Sequence, residues 1–227
     1  MRIVVSEFMS LDGVVQAPGG PDEDTDGGFA HGGWSIPFFD PEVIGGTIGA
    51  KFATVEALLF GRRTFDVMAT AWPERSGDPF ADQMNAIEKY VVTGTLTDDD
   101  ITWPNSHVIA TDGALDAIRE LRGRDGGDLS VMGSPTLARA LIQADLVDEL
   151  NLMIEPVLLG GGKRIFTDDG VGRGFELVDA KVAATGVLVC TYRPTHRPLV
   201  SGSSDDFYDT DTDTDTDTDT DAPVPPS

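Results

Sequence analysis

One motif recurs along the chain and constrains its fold more than any other feature. A short run of aliphatic or β-branched residues ends in a glycine or hydroxyl turn, and a helix start usually follows. Arg2–Phe8 is the first such run; Ala57–Phe60 precedes Gly61, and Leu129–Met132 precedes Gly133-Ser134-Pro135. Lys89–Thr93 and His107–Ala110 are two more. Each is too short and too apolar for a surface helix, so each is read as a buried strand. Helices are expected over Arg62–Ala71, from a Thr111-Asp112 cap to Leu121 with Leu115, Ile118 and Leu121 on one face, and from Pro135 to about Gln143. Strands that alternate with helices lie parallel, because a parallel pair needs a crossover and not a tight turn.

The alternation changes near the C-terminus. Val147–Glu155 alternates, and Phe175–Ala183 and Val187–Tyr192 flank Ala184-Thr185-Gly186, a hairpin signature. The expected fold class is therefore α/β: three layers, a mostly parallel twisted central sheet with helices on both faces, and a C-terminal antiparallel hairpin. Between strand one and the next helix, residues 17–33 form a long loop rich in Gly and acids; loops of that length are usually functional or disordered. Asp40 caps a helix that opens at Pro41-Glu42 and runs to about Ala53.

Residues 1–198 are read as one domain and 199–227 as a disordered acidic tail, because the uninterrupted Asp-Thr alternation of Asp209–Asp221 has no apolar face to bury. The chain carries 39 acidic and 16 basic residues, a net charge of −23, and the last 27 residues hold nine of the Asp. This balance argues against binding nucleic acid, which rests on clustered Lys and Arg, and against docking on an anionic membrane. Cys190 is the single cysteine, which excludes an internal disulfide and every multi-cysteine metal site. His31, His107 and His196 lack metal-ligand spacing, so no metal is expected. Glu7 interrupts the N-terminal apolar run and no stretch approaches a membrane span, so the expectation is a cytoplasmic protein.

The dinucleotide fingerprint G-x-G-x-x-G, the Walker A motif and the serine elbow are all absent. What remains is a geometry. Gly61-Arg62-Arg63-Thr64, Thr93-Gly94-Thr95 and Met132-Gly133-Ser134-Pro135-Thr136 each succeed a strand, at the sheet edge where open α/β folds bind ligands. Two of them open helices, whose free N–H groups and partial positive charge suit phosphate. Arg62 and Arg63 add forked donors in a chain that is otherwise acidic.

These residues resemble the dihydrofolate-reductase-like superfamily, and more closely the reductase domain of the riboflavin-biosynthesis deaminase/reductase and its free-standing relatives. The matching segments occur in family order over about residues 2–194: Ser10-Leu11-Asp12-Gly13, Ala57–Phe65, Lys89–Thr93, Val131–Ser134, Leu146–Leu150 and Pro156–Phe166. The resemblance implies an NADPH-dependent reductase similar to 5-amino-6-(5-phosphoribosylamino)uracil reductase, and a homodimer. Gly61, Arg62, Arg63 and Thr64 would hold cofactor phosphates, Thr93 would sit near the adenosine 2′-phosphate, and Gly133, Ser134, Thr136 and Leu137 would take the pyrophosphate. Asp12 and Asp40 are the candidates for orienting the substrate or passing a proton. Trp34 and Phe39 would stack on a heterocyclic substrate, and Lys163 would meet its phosphate. Dihydrofolate reduction and a non-catalytic, nucleotide-binding dimeric module are the alternatives.

Overall fold

The computed structural model describes residues 1–75 and 77–203. The expected acidic tail therefore lies almost entirely outside the described residues. Eight strands form one sheet: β1 (Arg2–Ser10), β2 (Val55–Gly61), β3 (Glu88–Thr93), β4 (Ser106–Ala110), β5 (Asp128–Met132), β6 (Glu149–Glu155), β7 (Phe175–Val182) and β8 (Leu188–Pro194). Their order across the sheet is β4-β3-β2-β5-β1-β6-β8-β7. The first six in sequence run parallel, and β8 pairs antiparallel with both β6 and β7. This is the expected three-layer fold with its antiparallel C-terminal hairpin.

Successive residues of a strand face opposite sides of the sheet, and β2 shows how this builds two cores. Ala57 and Leu59 join Ile3, Val5, Leu129 and Val131 on one side, covered by α4 (Ala114–Arg122) and α5 (Pro135–Gln143). Leu58 and Phe60 turn the other way, towards α1 (Gly46–Phe52), α2 (Arg62–Ala71) and α3 (Pro79–Ala86). There Phe60, Phe65 and Trp103 pack with ring centroids 5.9–6.3 Å apart, in the range of favourable aromatic contacts. A smaller cluster of Ile44, Met153, Ala183, Val187 and Val189 seats the hairpin.

The helix starts agree with the sequence in part. Asp40 accepts hydrogen bonds from the backbone N–H groups of Glu42 and Val43, at 2.9 and 3.0 Å, as the expected cap. The helix behind it opens with a wide π-type turn, Pro41–Gly45, before the regular Gly46–Phe52 segment. The helix α4 begins at Ala114, with Gly113 at its N-cap in a left-handed conformation (φ 76°), one residue after the expected Thr111-Asp112 cap. The structure adds α3 to the expected elements; Asp78 caps it and Pro79 opens it, the same Asp-Pro signal seen at Asp40-Pro41.

Behind α3, Lys89 is fully buried on β3 and its ammonium donates to the carbonyls of Met84, Asn85 and Ile87 at 3.1, 3.1 and 2.6 Å. It also lies 4.7 Å from the centroid of the Trp103 ring, a cation–π distance. One lysine thus satisfies the C-terminal carbonyls of a helix that has no basic residue in its last turn. Lys89→Met keeps the bulk and removes the donor. It is expected to lower stability by about 2–3 kcal/mol, read as a lower urea midpoint at unchanged slope.

Candidate active site

Parallel strands bring their carboxyl ends to one edge, and there β2, β5 and β1 open into a cleft of about 720 Å³. Its floor is the sheet face carrying Val4, Ser6, Ser130, Asn151 and Met153. Thr47, Ile48, Lys51 and Phe52 of α1 form one side, and the loop of residues 17–33 forms the other.

One wall is built from two helix N-termini. The helix α2 starts at Arg62 directly after β2, and α5 starts at Pro135 after β5. Ser134 has no side-chain capping bond within its own helix; its φ is 66°, a left-handed conformation that costs a residue with a Cβ. Its hydroxyl instead accepts the Gly61 backbone N–H at 2.8 Å, tying the two strand ends together. A Cβ on Gly61 would lie 3.3 Å from Ser134 Cβ and Oγ, so the approach depends on glycine. Gly133 has a φ of +70°, which turns the backbone sharply between β5 and α5. Such strained conformations cluster at functional sites.

The loop is braced across the cleft by charge. Arg63 pairs with Asp24 at 2.7 Å and with Asp26, and Lys163 reaches the same two carboxylates at 2.5 and 2.9 Å. These hydrogen bonds from Arg63 and Lys163 pull Asp26 down to about 2. Gln16, buried at the loop base, donates to the carbonyls of Asp24 and Asp26 and accepts the Lys163 N–H. Arg62 takes a different direction: its guanidinium pairs with Asp66 at 2.8 Å and donates to Thr95 Oγ1 at 3.0 Å, beyond the end of β3.

Of the residues singled out from the sequence, Gly61, Arg62, Arg63, Thr64, Gly133, Ser134, Thr136, Leu137, Phe39 and Lys163 line this one cleft. Four others lie outside its lining. Thr93 is buried, and its hydroxyl accepts the N–H groups of Thr95 and Leu96, shaping the turn after β3. Trp34 is buried and donates its indole N–H to the Gln16 carbonyl at 2.8 Å, closing the base of the long loop. Asp12 accepts from the Ser10 hydroxyl and from the backbone of Leu159 and Gly160; these bonds, the hydroxyl foremost, hold it down at about 2. Asp40 spends one oxygen on its helix cap and the other on the Ala184 N–H at 3.0 Å, and these backbone donors lower it below the ordinary carboxylate range.

The structure brings further polar groups to the cleft. On the floor, Thr191 donates to Asn151 Oδ1 at 2.9 Å, which leaves the Asn151 amide to point its N–H groups towards Ser6 Oγ, 3.4 Å away. Glu7 is 3% exposed, lines the cleft, and its Oε1 has no hydrogen-bond partner among the described residues. Burial first, and then the charge of Glu23, push its carboxyl well above the ordinary value. The sequence signal for these residues is a polar side chain inside a strand that is otherwise apolar.

The order of strands and the ligand edge define a dihydrofolate-reductase-like fold. A putative riboflavin biosynthesis protein from Shewanella sp. PV-4 superposes with a TM-score of 0.65 at 19% identity, over 86% of this chain and 99% of that one. Dihydrofolate reductase from Enterococcus faecalis, solved with NADP(H), superposes with a TM-score of 0.54 at 16% identity, over 86% of this chain and 96% of its own. Residues 2–190 match the RibD C-terminal domain, and the chain belongs to that family. The uncharacterized protein YyaP of Bacillus subtilis (strain 168) is 26% identical over 196 residues, 84% of this chain and 94% of YyaP.

The ion pairs across the cleft make the loop testable apart from any ligand. In an Asp24→Asn/Asp26→Asn variant, amide hydrogen exchange over residues 17–33 is expected to accelerate about tenfold while the global unfolding midpoint stays put, since opening of a loop is local. Asp26 titrates below its ordinary value, so its contribution is present above that value and lost as pH falls through about 2. The wild-type loop should therefore keep its protection through the mildly acidic range.

Proposed function

We propose that this chain is an NADPH-dependent reductase acting on a small pyrimidine-type heterocycle, in the manner of the uracil-reductase domain of riboflavin synthesis. One observation carries the reading: two helix N-termini, joined by the Gly61 N–H to Ser134 Oγ bond, face a single cleft. Their free N–H groups and partial positive charge suit a pyrophosphate. The fit extends to the glycines, which keep side chains away from the place where a phosphate would approach. Family membership and a fold shared with an NADP(H)-binding reductase support the same reading.

In this reading Gly61, Thr64, Gly133, Ser134, Thr136 and Leu137 hold the phosphates. Arg62, directed at Thr95 and the end of β3, meets the 2′-phosphate of the adenosine with Thr93 shaping that turn. Arg63 reaches the phosphates on exchanging its Asp24 and Asp26 partners. When bound, the dinucleotide supplies a hydride. The chain's own residues bind and orient: Asn151 and Ser6 offer N–H and O–H donors to ring carbonyls, Phe39 covers the heterocycle, and Lys163 meets a substrate phosphate. Asp12 and Asp40 act by holding the 159–160 turn and the hairpin in place. Orientation of this kind supplies much of the rate where a cofactor brings the chemistry.

Calorimetry should show NADPH binding with micromolar affinity. Arg62→Ala is expected to weaken it about tenfold, or ~1.4 kcal/mol, and to leave NADH affinity unchanged. Absence of binding by either nicotinamide cofactor would end the reductase reading. A panel of pyrimidine and pterin substrates, monitored by NADPH absorbance, then identifies the substrate class; binding without consumption would favour the non-catalytic module. The homodimer fits the edge strand β7, whose exposed Leu177, Val178 and Val182 leave an apolar, unpaired edge of the kind that pairs with another chain. Val182→Lys should then shift the protein to a monomer in sedimentation.

A further inference from the structure

We infer that Asp24 and Asp26 are specificity-determining residues: their carboxylates hold Arg63 and Lys163 as an internal competitor, which a ligand displaces only by bringing phosphate. The identity of that ligand rests on the reductase reading above. Each carboxylate bridges both cations. Asp24 lies 2.7 Å from Arg63 Nη1 and 2.5 Å from Lys163 Nζ, and Asp26 meets the same two nitrogens. All four residues line the cleft, and they join the long loop to α2 on one side and to the 160–163 turn on the other.

Charge decides what can enter. The other two cations that line the cleft are also matched: Arg62 with Asp66, and Lys51 with Glu149. A phosphate that arrives while the clamp is shut sets its charge beside two carboxylates, with no cation left to balance it. Such a like-charge contact is a means of rejecting a ligand. A phosphate monoester carries about −1.5 to −2 near neutrality, close to the charge of the two carboxylates together. By taking their place it restores the balance at Arg63 and Lys163. A neutral heterocycle offers no such exchange and leaves the clamp shut.

The loop is built to let the acids go. Its base is tied to the fold by the Gly33 N–H to Ala17 carbonyl bond and by the Trp34 indole on the Gln16 carbonyl, both at 2.8 Å. Residues 21–28 make no backbone–backbone hydrogen bond outside the loop among the described residues. Beyond the ion pairs, the Gln16 amide holds the carbonyls of Asp24 and Asp26 at 3.0 and 3.1 Å. Glu23, the third acid of the loop to line the cleft, is bound to the Gly19 and Gly20 N–H groups at 2.6 and 3.0 Å and belongs with the base. Losing the pairs therefore frees the tip and leaves the base in place, a local opening. The wild type then binds with an affinity reduced by the fraction of molecules whose clamp is open.

The test is calorimetry on the full chain with inorganic pyrophosphate and with NADPH, joined to amide hydrogen exchange of the wild type with and without NADPH. Asp24→Asn/Asp26→Asn should bind both probes about tenfold more tightly than wild type. Asp26→Asn should show part of that gain. Asp22→Asn removes a charge from an exposed position of the same loop outside the clamp, and should stay within about twofold of wild type. NADPH should accelerate exchange over residues 21–28 of the wild type. Equal gains in Asp22→Asn and Asp26→Asn would mark an effect of bulk charge and overturn the inference. Unchanged or weaker binding of pyrophosphate by the double variant overturns it too. So does loop exchange that slows on adding NADPH, since the acids would then belong to the liganded site. If the double variant gains affinity for pyrophosphate and neither protein binds NADPH, the reductase reading fails and the clamp stands. NADPH binding that is indifferent to the double substitution removes the clamp and leaves the reductase reading.

Discussion

Parallel strands cannot be joined by tight turns, and most of this molecule derives from that constraint. Every connection between the parallel strands must cross a face of the sheet and return, so the two faces are covered and the strands between them read as apolar runs. All six parallel strands end at one edge, and the turns and helix starts that succeed them in the chain meet there. That is why Gly61-Arg62-Arg63-Thr64 and Gly133-Ser134-Pro135-Thr136, some seventy residues apart in the chain, share a wall of one cleft. The Ser134 hydroxyl fixes their relation by spending a left-handed backbone conformation on a bond to the neighbouring strand end.

Charge in this acidic protein is organised around its few cations. Glu149 is almost fully buried and is met by Lys51, Arg193 and Arg2 at 2.5, 3.1 and 3.6 Å. Asp128 takes both an Nε and an Nη of Arg2 at 2.9 Å, a forked pair at the start of the sheet. Asp24 and Asp26 do the same for Arg63 and Lys163 over the cleft. Buried carboxylates are thus neutralised where cations reach them. Glu7 and Glu23 line the cleft without a cation partner among the described residues, and burial raises the pKa of both.

The fold was legible in the sequence where the information is local. Apolar runs with glycine ends marked the strands, and Asp40-Pro41 marked a true cap. The same dipeptide at Asp78-Pro79 went unread because the helix behind it has few apolar residues in a regular stripe. The strand order was not legible, because β1 pairs with partners more than a hundred positions away and nothing in Ile3–Val5 encodes them. At the site, residues that open helices were visible by position. Ser6, Glu7 and Asn151 were hidden, since a polar residue in a strand declares its role only once its neighbours are known. Asp12 and Asp40 show the converse: their residue type invites a chemical role, while their oxygens are occupied by backbone N–H groups.

The central position of β1 has a consequence for synthesis. Arg2 lies opposite Asp128 and Ser10 opposite Glu155, so the first strand made waits for nearly the last of the parallel strands before its ladders can close. A nascent chain that has emerged through β4 already holds β2, β3 and β4 in neighbouring order, yet it carries β1 with neither partner. Contacts of such sequence separation slow folding and leave apolar strand edges exposed in the meantime. Synthesis order therefore makes β2, β3 and β4 neighbours before β1 gains either partner, first β5 and then β6.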